Sequence, residues 1–205
     1  PHAEVRALDE AGDLARGASL YCTLEPCCHV GRTGPCVERV AAAGITRVVA
    51  ASEDADLRVN GRGFEFLRQK GIDVSVGAGR DRALRLNRAY FTFRTRGRPF
   101  VIMKVATSLD NRVAARPGVR TMLTSEESQR HAHAVRAEVD AIAVGSGTVL
   151  VDDPLLTARH VHRSRPLTRV LFDRRLRVPP SARVFSTLDA GPVIIVTTPE
   201  AIANT

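Results

Sequence analysis

Thr23-Leu24-Glu25-Pro26-Cys27-Cys28-His29-Val30-Gly31-Arg32-Thr33-Gly34-Pro35-Cys36 decides the reading of this chain, together with His2-Ala3-Glu4 near its start. All four cysteines of the sequence (Cys22, Cys27, Cys28 and Cys36) fall in or next to this stretch. Thiolate and imidazole are good zinc ligands. Three protein ligands with a fourth position left to water make a catalytic site rather than a closed structural one. Such an ion lowers the pKa of its water from about 15.7 toward roughly 7. His2, Cys27 and Cys36 are the expected ligands. Glu4 is expected to stay outside the metal shell and move protons. Two residues after His2 on a helix, it does not fully share the His2 face, but it reaches a water held over the same helix end.

His-x-Glu followed by Pro-Cys and a further Cys is the signature of zinc deaminases. In its short form two residues separate the cysteines. Here eight lie between Cys27 and Cys36, among them His29, Arg32 and the helix breakers Gly31, Gly34 and Pro35. Other readings stay open at this point. One is a disulfide pair, against which stand the upstream His-x-Glu and the lack of a signal-peptide or transmembrane pattern. Another is a closed structural zinc site with Cys28 or His29 as fourth ligand. Cys22 alternates with Leu20 and Leu24, as a buried strand residue does. Cys28 is expected to pack or to support the ligands.

A length of 205 residues suits one large or two small domains, and 44% hydrophobic residues suffice for a core. The net charge of +8 invites a nucleic-acid partner. Its distribution argues against one: residues 1–99 carry 16 basic and 12 acidic side chains, and residues 100–205 carry 14 and 10. There is no Trp, and the aromatic interleaving wanted for stacking single strands is missing. Scattered arginines fit a phosphorylated small substrate equally well. Neither nucleic acid nor membrane is expected as a partner, and a cytoplasmic location is.

Strands and helices alternate along the chain. Val5 and Leu8 stand at helical spacing. Ser19–Leu24 alternates as a strand that delivers the Pro-Cys loop. Cys36–Ala43 reads as a helix ended by Gly44. Strands are expected at Arg47–Ala51 and Ile72–Val76, helices at Phe64–Lys70 and Asp81–Arg94, and a polar loop over 52–62. Thr95-Arg96-Gly97-Arg98-Pro99 is the expected boundary, dividing the chain into 1–96 and 97–205. Beyond it come a strand at Phe100–Ala106 and a helix from the Thr124-x-x-Glu127 capping box to about Val139. Further strands are expected at Ala141–Gly145, Thr168–Asp173 and Val193–Thr197. A turn is expected at Ser146-Gly147-Thr148 and a helix after Thr198. The pattern is α/β with parallel crossovers. A ligand at position 2 and a last helix just begun lead us to expect a fragment, cut at both ends.

These residues resemble a known family. His2-Ala3-Glu4 and the run from Thr23 to Cys36 look like the deaminase domain of the bifunctional riboflavin-biosynthesis deaminase/reductase. The wide cysteine spacing separates that family from tRNA and cytidine deaminases. In the second half, Lys104-Val105-Ala106-Thr107-Ser108-Leu109-Asp110 and the run Gly145-Ser146-Gly147-Thr148-Val149-Leu150-Val151-Asp152-Asp153-Pro154-Leu155-Leu156-Thr157 are similar to its reductase domain. The resemblance implies a cytidine-deaminase-like α/β/α domain followed by a dihydrofolate-reductase-like α/β domain, with Zn²⁺ and NADPH as cofactors. It also implies two reactions: hydrolytic deamination of a diaminopyrimidinone ribosylamino phosphate, then reduction of its ribosyl to a ribityl chain. Ala106, Thr148 and Asp152 would lie against NADPH. Arg120, Arg136, Leu156 and Arg159 would hold substrate, the arginines suiting its phosphate. A solvated helix charge remains the alternative for Arg136, and Lys104 is a weaker catalytic candidate. His29 and Arg32 would bind substrate in the deaminase half. The full-length protein is expected to be a homo-oligomer.

The sequence departs from the family pattern in places. Asn111 stands where Gly is usual, a mild change because Asn tolerates the same left-handed turn. Arg120 and Met122 stand where a small residue and a Trp are usual, and Arg174 where Ser is frequent. Two other classes compete: a nucleic-acid-editing deaminase, which leaves the second half unexplained, and a non-catalytic zinc module, which needs four protein ligands.

Overall fold

The structure is a computed structural model describing residues 2–31 and 33–203. The chain forms two compact units that divide between Ile102 and Met103, a few residues beyond the Thr95–Pro99 stretch.

The first unit is a three-stranded parallel sheet of β1 (Ser19–Cys22), β2 (Arg47–Ala50) and β3 (Asp73–Val76), in that order. Ser19 pairs with Arg47 and Arg47 with Asp73. Helix α1 (Ala3–Ala11) precedes the sheet, and α2 (Cys36–Ala42) and α3 (Arg62–Gln69) are its crossovers. Because strand side chains alternate, Leu20 and Cys22, Val48, and Val74 share one face. They pack there against Leu8 of α1, Val37 and Val40 of α2, and Leu67 of α3. Leu67 is fully buried, and truncating such a leucine to alanine costs about 2–5 kcal/mol. Helix α2 starts directly after extended Pro35 and stops before Gly44, whose φ of 75° is the left-handed geometry that glycine accepts without strain.

The expected helix over 81–94 is two helices, α4 (Arg80–Leu86) and α5 (Arg88–Arg96). The break is at Asn87, which leaves helical geometry at φ −98°, ψ 17°. Asparagine competes with the helix through its side-chain amide, while the apolar spacing runs on across the break and hides it.

The second unit has its own parallel sheet, β4 (Ala141–Gly145), β5 (Thr168–Phe172) and β6 (Val193–Val196), in that order. Helix α6 (Glu126–Glu138) leads into β4, α7 (Ser146–Asp152) leaves it, and α8 (Pro199–Ala203) follows β6. The core gathers Val149, Leu156, Leu171, Ala182 and Val184. Three expectations are corrected here. Phe100–Ala106 forms no strand among the described residues, and its Val101 and Met103 are exposed; alternation alone makes no strand without a neighbour to complete the ladder. Ser146-Gly147-Thr148 is not a turn but the start of α7, whose Val149 is drawn into the core. The cap of α6 is Ser125 rather than Thr124: its Oγ accepts the Ser128 N–H at 3.3 Å.

Arg169 of β5 is almost wholly buried. Its guanidinium donates to the Val184 carbonyl at 3.1 Å, to Thr187 Oγ1 at 2.6 Å and to the Thr187 carbonyl at 2.8 Å, and also to the Gly191 carbonyl. It fastens the 183–191 segment to the sheet. Burial lowers its pKa, and Asp189 acts in the opposite direction.

Candidate functional site

His2 caps the N-terminus of α1 in extended geometry, Cys27 lies in the loop after β1, and Cys36 is the first residue of α2. These three distant positions converge: one ligand atom from each lies within 4.8 Å of the other two. His2 Nδ1 is 3.2 Å from Cys36 Sγ and 3.4 Å from Cys27 Sγ. Bonds of about 2.0–2.3 Å at tetrahedral angles put ligand atoms roughly 3.5 Å apart, so the cluster fits one zinc ion. Burial pushes the Cys36 thiol up to about 12, helped by the Cys27 thiol and the Glu4 carboxylate; a cation offsets that cost. The first amide of α2 donates to Cys27 Sγ at 3.3 Å, and the Val37 amide to the Cys27 carbonyl at 3.2 Å. Amides left over at the helix start thus hold the loop cysteine.

Glu4 is half-buried beside the cluster, its Oε2 3.8 Å from Cys36 Sγ. It adjoins the cluster without being one of its three ligand residues. Cys28 turns away, its thiol directed at the Arg58 carbonyl at 3.5 Å. Cys22 is half-buried against the core, its thiol raised to about 12 mainly by burial. Neither Cys28 nor His29 joins the ligand cluster among the described residues, which leaves the closed four-ligand site unsupported. All four cysteines are free of disulfides. His29 Nδ1 is buried without a hydrogen-bond partner, as befits a group waiting for one. Arg32 lies outside the described residues.

Sequence reasoning missed Glu25. Its carboxylate is buried and accepts four main-chain amides: Asp54 at 3.1 Å and Gly61 at 2.8 Å on Oε2, Gly63 at 2.8 Å and Phe64 at 3.3 Å on Oε1. It ties the Pro-Cys loop to the 52–62 loop and the start of α3. Any Cβ at Gly63 would collide with the Pro26 carbonyl, so glycine permits this approach. The 52–62 loop is more than polar filler. Buried Asp56 accepts Arg58 Nη2 at 2.7 Å and pairs with Arg94 of α5, and Tyr90 donates to Asp54. The bonds from Arg58 lead in holding Asp56 well below the usual carboxylate range. The visible signal was the glutamate of Thr23-Leu24-Glu25-Pro26 itself, a charge between apolar neighbours.

In the second unit the candidates are less gathered. Ala106 is half-buried in irregular chain, Thr148 is exposed on α7, Asp152 is half-buried at its end, and Arg120 and Lys104 are exposed. Leu156 has a φ of 55° and its side chain belongs to the core. Asn111 adopts the left-handed turn at φ 60°. Arg136 and Arg159 do assemble. Arg136 Nη1 donates to the Thr157 carbonyl at 3.3 Å, and burial, then Arg159, lowers its pKa. His133, also missed, stands with them: the Arg159 main-chain amide donates to its Nδ1 at 3.1 Å. Arg163 donates to the Arg136 and Ala137 carbonyls, at 3.1 and 2.7 Å, near the end of α6.

Residues 99–205 match the model of the RibD C-terminal domain, and residues 1–52 that of the cytidine and deoxycytidylate deaminase zinc-binding region. The chain is 45% identical over 200 residues to the riboflavin biosynthesis protein RibD of Aquifex aeolicus, covering 98% of this chain and 56% of that protein. It is 42% identical over 179 residues to the Escherichia coli protein of that name, covering 87% of this chain and 49% of the relative. It thus spans about half the length of the curated relatives it matches. Among solved structures, Acinetobacter baumannii RibD superposes with a TM-score of 0.88 at 36% identity, over 100% of this chain and 58% of the other. The model match begins at residue 99, three positions before the two units divide, and the zinc-region match contains the ligand cluster: the chain belongs to the RibD family.

Proposed function

We propose that this chain carries the two working units of a riboflavin-biosynthesis enzyme. The first hydrolyses an amino group from the pyrimidine ring of a diaminopyrimidinone ribosylamino phosphate. The second reduces the ribosyl group to a ribityl chain with NADPH. The observation that carries the reading is the convergence of His2, Cys27 and Cys36 with Glu4 alongside, in a chain of this family. The name of the Thermotoga maritima structural relative points the same way: it is a diaminohydroxyphosphoribosylaminopyrimidine deaminase/5-amino-6-(5-phosphoribosylamino)uracil reductase.

His2, Cys27 and Cys36 would hold a zinc ion, which would supply a water acidic enough to act as a nucleophile at neutral pH. Glu4 would take a proton from the attacking water and deliver it to the amino group, which would leave as ammonia as the ring carbon gains the oxygen. His29 Nδ1 and Arg32 receive the polar edge of the substrate. In the second unit Ala106, Thr148 and Asp152 line the NADPH side. Arg136 and Arg159 hold the substrate phosphate, with Arg120 and the Leu156 backbone contributing to that side. The setting is cytoplasmic, and no helix among the described residues is long and apolar enough to cross a membrane. A zinc module without activity needs a fourth protein ligand, and none joins the cluster among the described residues. The domain boundary that serves this division of labour lies within 96–102.

Zinc content, ammonia release from the phosphorylated pyrimidine and NADPH oxidation by its deaminated product test the reading on the full-length protein. One zinc per chain with both activities is expected. Stoichiometric zinc with neither activity overturns it.

A further inference from the structure

His133 of α6 meets Arg159 through both ring nitrogens. The Arg159 main-chain amide donates to Nδ1 at 3.1 Å, and Arg159 Nη2 lies 3.3 Å from Nε2. A neutral imidazole has one acceptor nitrogen and one N–H, and a guanidinium has only donors. With Nδ1 used as the acceptor, the proton belongs on Nε2. Nε2–H and the Arg159 guanidinium are then two donors side by side. Protonating Nδ1 as well would cost the ring its bond to the Arg159 amide. It would also place a charge beside the guanidinium groups of Arg136 and Arg159, which face the ring. Burial, then those cations, lowers the His133 pKa. The Thr157 carbonyl, which accepts Arg136 Nη1 at 3.3 Å, acts on that pKa in the opposite direction.

Paired N–H donors beside two cations are the geometry that receives an anionic oxygen, and one phosphate oxygen accepts two such donors together. We propose that His133 is a third ligand of the substrate phosphate, its Nε2–H and the Arg159 guanidinium sharing one oxygen in company with Arg136. This rests on the reading of Arg136 and Arg159 as the phosphate side of the second unit. It adds to it a neutral donor that fixes where the phosphate sits.

Calorimetric titration of the full-length protein with ribose 5-phosphate tests the assignment. His133→Phe keeps a ring and removes the N–H donor, and affinity is expected to fall about tenfold, the effect of one charge-assisted hydrogen bond. His133→Gln, whose amide N–H can stand in for Nε2–H, is expected to stay within about threefold of wild type. Nitrogen NMR is expected to show the Nε2–H tautomer in the free protein. Unchanged affinity in His133→Phe, with affinity lost in Arg136→Ala, overturns the role of His133 and leaves the arginines standing. Unchanged affinity in both variants overturns the arginine reading with it. Should His133→Phe fold poorly, His133→Gln and the tautomer still decide: an Nδ1–H tautomer, or a tenfold loss in His133→Gln with an unaltered melting temperature, overturns the proposal.

Discussion

The two units place their chemistry differently. In the first, side chains from three distant positions close to within 4.8 Å of one another. In the second, Ala106, Thr148, Asp152 and Arg120 are spread over loop and helix, and only Arg136, His133 and Arg159 touch or adjoin. A metal site demands fixed distances among few atoms, so it is visible as a knot of side chains. A dinucleotide site is read largely through backbone and shape. The same contrast appears in the buried charges: Glu25 collects amides two residues from a ligand, whereas Arg169 collects carbonyls to fasten a loop.

The largest expected effect tests whether the knot is the metal site. Cys36→Ser should reduce zinc to background by elemental analysis, while Cys28→Ser should retain one equivalent. Zinc lost equally from both variants would dissolve the distinction between ligand and neighbour. Glu4→Gln should keep zinc and lower deamination about 10²–10⁴-fold, with NADPH oxidation unchanged; loss of metal would move Glu4 into the ligand set. Arg169→Met strands three carbonyls and should destabilise the second unit by about 3 kcal/mol, read as an earlier urea transition with zinc affinity unaltered. Glu25→Gln replaces one accepting oxygen with a donor facing amide N–H groups. A loss of about 2 kcal/mol and about tenfold weaker zinc binding are expected, because the strained loop carries Cys27. Equal zinc affinity would make Glu25 as remote from the chemistry as Arg169.

The smallest effect is with pH. Asp56 has its carboxyl lowered in the folded chain, chiefly by Arg58. Its contribution is therefore complete above the ordinary carboxylate value near pH 4 and fades as pH falls through the lowered one. The melting temperature should drop more between pH 5 and pH 3 in wild type than in Asp56→Asn. Parallel curves would remove Asp56 from the hold on α5.

Sequence patterning located every strand among the described residues, because apolar runs and flanking glycines act locally. It failed where partners decide. Phe100–Ala106 has the pattern of a strand and no ladder, and Ser146-Gly147 looks like a turn until Val149 is pulled inward. The convergence of His2, Cys27 and Cys36, with Glu4 alongside, was legible because few side-chain sets share that spacing. Glu25, Arg169 and His133 were not, since each is defined by main-chain groups that folding brings from far along the sequence.

Cys27 and Cys36 also close a hoop. The Val37 amide meets the Cys27 carbonyl at 3.2 Å, so the ends of the 28–35 segment are pinned by backbone as well as by sulfur. Its length is thereby uncoupled from the ligand geometry, and by loop-closure entropy a doubling costs only about 0.6 kcal/mol. The hoop can lengthen, shorten or change its residues while the sulfur atoms stay in place. Within this scaffold it is a free variable on which selection, or a designer, can act to change what lies beside the cluster without rebuilding the cluster itself.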